Sequence, residues 1–127
     1  MDKALRALGA LLLLANGAVH LQRYYGGYQY IPNISKLFIV NVILAALLAV
    51  YVAFVGSSWA LGCGILFQLG TLAALLYANS QPLFDFTQTK LDGWPTVAIV
   101  VELAGALVLS LDLFASRPRI HARYSRV

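Results

Sequence analysis

Apolar runs separated by short polar segments set the layout of this chain. Sixteen uncharged residues lie between Arg6 and Arg23, forty-eight between Lys36 and Asp85, and Glu102 is the single charge between Asp92 and Asp112. A hydrocarbon core of about 30 Å takes about 20 helical residues to cross. The forty-eight-residue stretch is too long for one span and right for two. It predicts a hairpin that turns at Gly56-Ser57-Ser58, residues that favour loops and caps. Four helices follow, at 4–22, 36–55, 59–79 and 95–115. The runs are rich in Ala and Leu without alternation, and a four-strand sheet cannot close its edges in lipid. The expected fold class is all-α: a polytopic membrane protein, an antiparallel four-transmembrane-helix bundle in residues 1–116, with a basic cytoplasmic tail at 117–127.

Composition supports the same picture. The chain has 127 residues, 61% hydrophobic and 11% charged, where a soluble domain is about 45–50% apolar and about 25% charged. One domain of this length cannot hide that excess in a core, so a lipid bilayer is the expected partner. The first segment also has a signal-peptide pattern, with Lys3 and Arg6 ahead of the apolar run and small residues at Ala15-Asn16-Gly17. It is read here as a retained first span.

Charge sets the expected orientation, because Lys and Arg in short loops stay cytoplasmic. With both termini inside, six of the nine basic residues are cytoplasmic: Lys3, Arg6, Arg117, Arg119, Arg123 and Arg126. Arg23, Lys36 and Lys90 then lie outside. The expected location is the cell membrane, multi-pass, and the bacterial inner membrane in particular. Most of the net charge of +4 belongs to the tail, which suits anionic headgroups. Four arginines on a short tail do not form a basic folded face, so nucleic acid is not an expected partner.

The outer loops are aromatic: Tyr24-Tyr25-Gly26-Gly27-Tyr28-Gln29-Tyr30-Ile31-Pro32, then Pro82-Leu83-Phe84-Asp85-Phe86, then Trp94-Pro95. A headgroup-level belt accounts for much of this. The alternative is a lid over the bundle mouth made of Tyr24, Tyr28, Tyr30, Phe84 and Phe86.

Polar residues inside the spans are the most informative, since a polar group facing lipid is costly. They are Asn16 and His20 on the first helix, Asn41 on the second, Gln68 and Thr71 on the third, and Glu102 on the fourth. Each lies in a small-residue stripe at helical spacing: Asn41, Ala45, Ala49, Ala53; Ala60, Gly64, Gln68; Ala98, Glu102, Ala106, Ser110. At about 1.5 Å per residue, Glu102 lies about 10 Å below the outer end of its helix and Asn41 about 7 Å below its own. His20, Asn16, Asn41, Gln68 and Glu102 are therefore the candidate ligand- or proton-binding cluster, in the outer half of the bundle. Two readings stand: a network that fixes helix register, or a site in which a carboxylate near a histidine exchanges protons, holds a cationic or hydrogen-bonding ligand, or binds a metal. Asp112, at the inner end of the fourth helix, is expected to pair with Arg6 or Arg117.

Several chemistries recede. Cys63 is the one cysteine, so no disulfide or CxxC centre is expected. His121 lies in the tail and only His20 in a span, which leaves no pair of axial haem ligands. No metal site, cofactor or catalytic constellation is expected, nor a phosphate-binding glycine loop.

The segment His20-Leu-Gln-Arg-Tyr-Tyr-Gly-Gly-Tyr-Gln-Tyr-Ile-Pro-Asn-Ile-Ser-Lys-Leu-Phe38 resembles small four-helix integral membrane proteins of actinobacterial-type genomes that have no assigned activity. The resemblance implies that His20, Tyr28, Ile31, Pro32 and Phe38 form one motif, and it implies no reaction. The chain also has the size of small multidrug transporters, but those look for a glutamate in the first helix, whereas this chain has it in the fourth. The expected function is non-enzymatic: an accessory subunit of a larger membrane complex, or a bundle holding a lipid or hydrophobic ligand. The alternative is a proton-coupled small transporter, a homo-oligomer with Glu102 as the proton-binding carboxylate. A membrane enzyme using His20 as acid or base comes third.

Overall fold

The protein is described here from a computed structural model that covers residues 3–80 and 94–124, with side chains for residues 3–78 and 94–115. It contains α1 (Lys3–Tyr25), a 3-10 turn (Tyr28–Tyr30), α2 (Ile34–Phe54), α3 (Ser58–Ser80) and α4 (Trp94–Tyr124). No strand occurs among the described residues. All four helices are long and apolar enough to cross a membrane, the last of them over Trp94–Ala115. This is a multi-pass, all-α four-helix bundle. The helices begin and end within a few residues of their expected limits, except α4. Its backbone continues as helix to Tyr124, through most of the expected tail.

The hairpin turn falls where the polar residues put it. Gly56 has φ 61°, a left-handed conformation that suits glycine, and the guanidinium of Arg6 lies where its Cβ would be. Ser57 then caps α3, its hydroxyl accepting from the Ala60 N–H at 3.2 Å.

Buried positions alternate three and four residues apart. On α2 they are Ile34, Phe38, Asn41, Ala45, Ala49 and Val52; on α4 they include Pro95, Ala98, Glu102, Gly105, Leu109 and Asp112. A three–four alternation of this kind is the seam that packed helices present to one another. It corrects the expected i, i+4 stripes at their ends. Ala53 is exposed and Ser110 is only half-buried, because a strict four-residue step drifts around a helix of 3.6 residues per turn, whereas a 3–4 alternation keeps facing its partner.

Helix α1 touches all three other helices and packs most extensively on α2 and α4, while α3 packs on α4. Small residues set these approaches: a Cβ on Gly17 would stand 2.9 Å from that of Ala45, and one on Gly64 2.9 Å from a Leu109 methyl. The end that carries the hairpin turn is filled by Leu13, Ala49, Val52, Ala60, Leu61 and Leu109. The neighbouring pair α2 and α3 makes the sparsest contact in the ring. They are held together near the turn, where Val52 meets Gly64, and part toward the opposite, loop end. Leu11, Leu47, Leu66 and Leu107, one per helix, are each more than 60% exposed, a surface that lipid must cover.

Candidate functional site

The polar residues of the spans meet on one level, and Asn16 of α1 is their hub. Its amide Nδ2 donates to Gln68 Oε1 at 2.7 Å and to Thr71 Oγ1 at 3.1 Å, both on α3. Its Oδ1 accepts from Asn41 Nδ2 on α2 at 3.5 Å. The Thr71 hydroxyl passes its own proton to the Gln68 backbone carbonyl at 3.1 Å. Asn16, Asn41 and Gln68 are all buried, so the network ties three helices together where water cannot compete.

Glu102 of α4 is the fourth side of this level, 1% exposed. The Thr71 hydroxyl faces its carboxyl, yet neither carboxyl oxygen completes a hydrogen bond of good geometry. The Nε2 of Gln68 is likewise unpartnered and lies against Gly105, one turn along α4 from Glu102.

His20 stands apart from Glu102. Its Nδ1 donates to the Asn16 backbone carbonyl at 2.9 Å, and its ring meets Phe38 edge-on at 4.9 Å and Trp94 at 6.4 Å. No hydrogen bond joins His20 to Glu102. Asp112, expected to pair with Arg6 or Arg117, is fully buried near the turn end, and the Arg117 side chain lies outside the described residues.

Where α2 and α3 part, a cavity of about 300 Å³ opens. Its walls are almost wholly apolar, and His20, Asn41 and Thr71 supply its polar edge. Its lips, Leu37, Val40, Leu44 and Leu66, are each more than 40% exposed, so it opens sideways through the face that lipid covers. Gly70 lies on the α3 wall, and no described residue comes within 4 Å of its Cβ position. Small residues at Gly70, Ala74 and Ala78, spaced four apart along the same wall, would normally admit a neighbouring helix. Among the described residues, none fills the groove they form.

Aromatic rings close the loop end of this groove. Gly27 adopts φ 136°, which a side chain would resist, and the chain reverses so that Tyr28 stacks on Phe38 at 4.8 Å, 12° from parallel. Tyr28 also meets Trp94 edge-on at 5.2 Å and shares a hydrogen bond with it. Arg23 lies 5.8 Å from the centroid of the Trp94 ring, a cation–π distance. Burial pushes the Tyr28 phenol up from its ordinary value, against the smaller opposing effects of the Trp94 hydrogen bond and the Arg23 charge.

Of the five aromatics expected as a lid or belt, Tyr28 alone is shown folded over the mouth. Tyr24 packs on Tyr25 and Tyr30 is 81% exposed, positions that suit a belt. Phe84 and Phe86 lie outside the described residues. Phe38 was named only through the motif it shares with His20 and Tyr28, while Trp94, which frames the groove with it, and Gly105, which admits Gln68, were not among the expected site residues. The Trp-Pro pair that opens α4 and the three-residue step from Glu102 to Gly105 were the signals available. Among the described residues no three His, Cys, Asp or Glu side chains group as a metal site. No protein-family model, no curated protein and no solved structure matches the chain.

Proposed function

We propose that this protein is a membrane-embedded binding bundle that takes one hydrophobic chain from the bilayer into the groove between α2 and α3. The observation that carries the proposal is the laterally open, apolar cavity of about 300 Å³. At about 30 Å³ per water-sized group, it has room for about ten non-hydrogen atoms, a segment of one lipid chain rather than a whole phospholipid. Polar groups at one edge fix orientation in an otherwise apolar site. Of the two non-enzymatic readings, accessory subunit and ligand-holding bundle, the groove favours the second. Six basic residues on the side of the termini support an orientation with both ends cytoplasmic.

Native mass spectrometry of gently extracted wild-type and Gly70→Phe protein tests the proposal. The phenyl ring would occupy the groove, so a hydrophobic adduct retained by the wild type should be lost from the variant. A wild type that flies bare, or an adduct equally abundant on both, contradicts it.

A second reading rests on a different observation. Both Glu102 oxygens lack a hydrogen-bond partner while the facing Thr71 lines the groove, which suits a proton-coupled carrier with Glu102 as the proton-binding group. In reconstituted vesicles, flux driven by a pH gradient should disappear in Glu102→Gln. Unchanged flux removes this reading.

A further inference from the structure

Resting on the groove reading above, we infer that the chain in the groove belongs to an anionic phospholipid of the loop-side leaflet, with its headgroup held by Arg23 and Lys36. The reach of the groove along the helices selects the leaflet. Its α2 wall runs from Ile34 to Leu44 and its α3 wall from Leu66 to Ala78, about 15 and 18 Å at about 1.5 Å per residue. That is roughly half of a 30 Å hydrocarbon core. The other half, toward the turn, is filled by side chains that include Leu13, Val52, Leu61 and Leu109. Only a lipid of the leaflet on the loop side can lay a chain there.

Charge at the loop end selects the headgroup. Lys36 is exposed and lies one turn before Val40, a lip of the groove, on the same side of α2. Helical side chains tilt toward the N-terminus of their helix, which for α2 is the loop end, and a lysine stem can cover apolar surface while its ammonium reaches the headgroup level. Arg23 lies 5.8 Å from the centroid of the Trp94 ring, and Trp94 lines the groove. Two cations thus flank the loop end of the cavity. The acidic side chains described, Glu102 and Asp112, lie more than two turns down α4 from Trp94. Over the whole loop side the sequence has three basic residues, Arg23, Lys36 and Lys90, against two acidic ones, Asp85 and Asp92; Asp85, Lys90 and Asp92 lie outside the described residues. An anionic phosphodiester meets this excess, and a guanidinium matches phosphate oxygens in geometry as well as charge. A zwitterionic headgroup brings its own cation and gains less.

The test uses the full chain with Trp59→Phe, since Trp59 is 79% exposed at the turn end and its removal leaves Trp94 as the sole tryptophan. Vesicles of phosphatidylcholine carry a rising mole fraction of phosphatidylglycerol or phosphatidylcholine brominated on one acyl chain, and quenching of Trp94 is followed. Half-maximal quenching by the phosphatidylglycerol should come at a mole fraction about five- to tenfold below that of the phosphatidylcholine, and the gap should narrow at high salt. Lys36→Gln should cut the preference at least about twofold, and Arg23→Gln with Lys36→Gln should abolish it. Lys3→Gln removes the same charge at the turn end and should leave it unchanged. Equal midpoints for the two lipids, or a preference that falls as much in Lys3→Gln as in Lys36→Gln, overturns the inference. The groove reading is read separately, from Gly70→Phe, which should suppress quenching by both lipids. If Gly70→Phe changes neither curve, the groove reading fails and this inference with it. The comparison of the two lipids without further substitution decides the matter even if the double variant does not fold.

Discussion

Gln68 on α3 lies so close to the backbone of Gly105 on α4 that a Cβ at position 105 would overlap its amide nitrogen. The same side chain accepts the shortest bond of the Asn16 network, so the α3–α4 approach and the polar level are set by one contact. Gly105→Ala should force Gln68 to shift and cost about 1–3 kcal/mol of stability, the usual penalty of overpacking. In a Gln68→Ala background the same change should cost less than about 0.5 kcal/mol, since the clash is gone. Reversible unfolding in mixed micelles measures both, and equal costs in the two backgrounds would contradict the contact.

Asn16 holds side chains from two other helices at once. Hydrogen bonds between helices in membranes average about 0.6 kcal/mol each, so Asn16→Ala should lose about 1–2 kcal/mol. Because it also frees Asn41 and Gln68, the loss should exceed that of Asn41→Ala, which breaks the 3.5 Å bond alone. The same unfolding measurement checks the order, and a reversed order would show that Asn16 is not the hub.

Glu102 is 1% exposed, and its carboxyl completes no ion pair or hydrogen bond among the described residues. An ionised carboxylate held there would cost several kcal/mol, so the neutral acid is the expected resting form at pH 7. Infrared difference spectra between wild type and Glu102→Gln should show a protonated-carboxyl stretch present only in the wild type. Finding the carboxylate bands instead would mean that a cation reaches the site.

Tyr28 gives the pH dependence. Its phenol is raised by burial, so the folded form keeps its proton at pH values where the unfolded chain has lost it. The stabilisation is fully present below the unfolded value of about 10 and falls as pH rises from there through the folded value. Tyr28→Phe should flatten that alkaline fall while keeping the stack on Phe38. Thermal melts between pH 8 and about 11 check it, and an unchanged slope in Tyr28→Phe assigns the fall to another group.

The helix count, the hairpin at Gly56 and the burial of Asn16, Asn41, Gln68 and Glu102 were legible in the sequence, because lipid punishes misplaced polar groups and strands with open edges. The continuation of α4 past Ala115 was less legible. A basic segment marks the end of an apolar span but does not stop a helix from continuing. The groove was not legible at all. Gly70, Ala74 and Ala78 read as a packing face, and only the divergence of α2 from α3 turns that face into a cavity wall. The depth arithmetic placed His20 and Glu102 together in the outer half of the bundle, but the imidazole turns back to its own helix at the Asn16 carbonyl, a rotamer choice that spacing does not determine.

Quenching of Trp94 by a phospholipid brominated on one acyl chain, in Trp59→Phe protein with and without Gly70→Phe, tests the central claim most directly. Trp94 and Gly70 line the same groove. A chain seated there should quench Trp94 saturably at low mole fraction, and the phenyl ring at position 70 should reduce this to the weak, linear quenching of a residue that only brushes lipid. Linear quenching in both proteins, or identical saturable curves, would mean that no lipid chain occupies the groove.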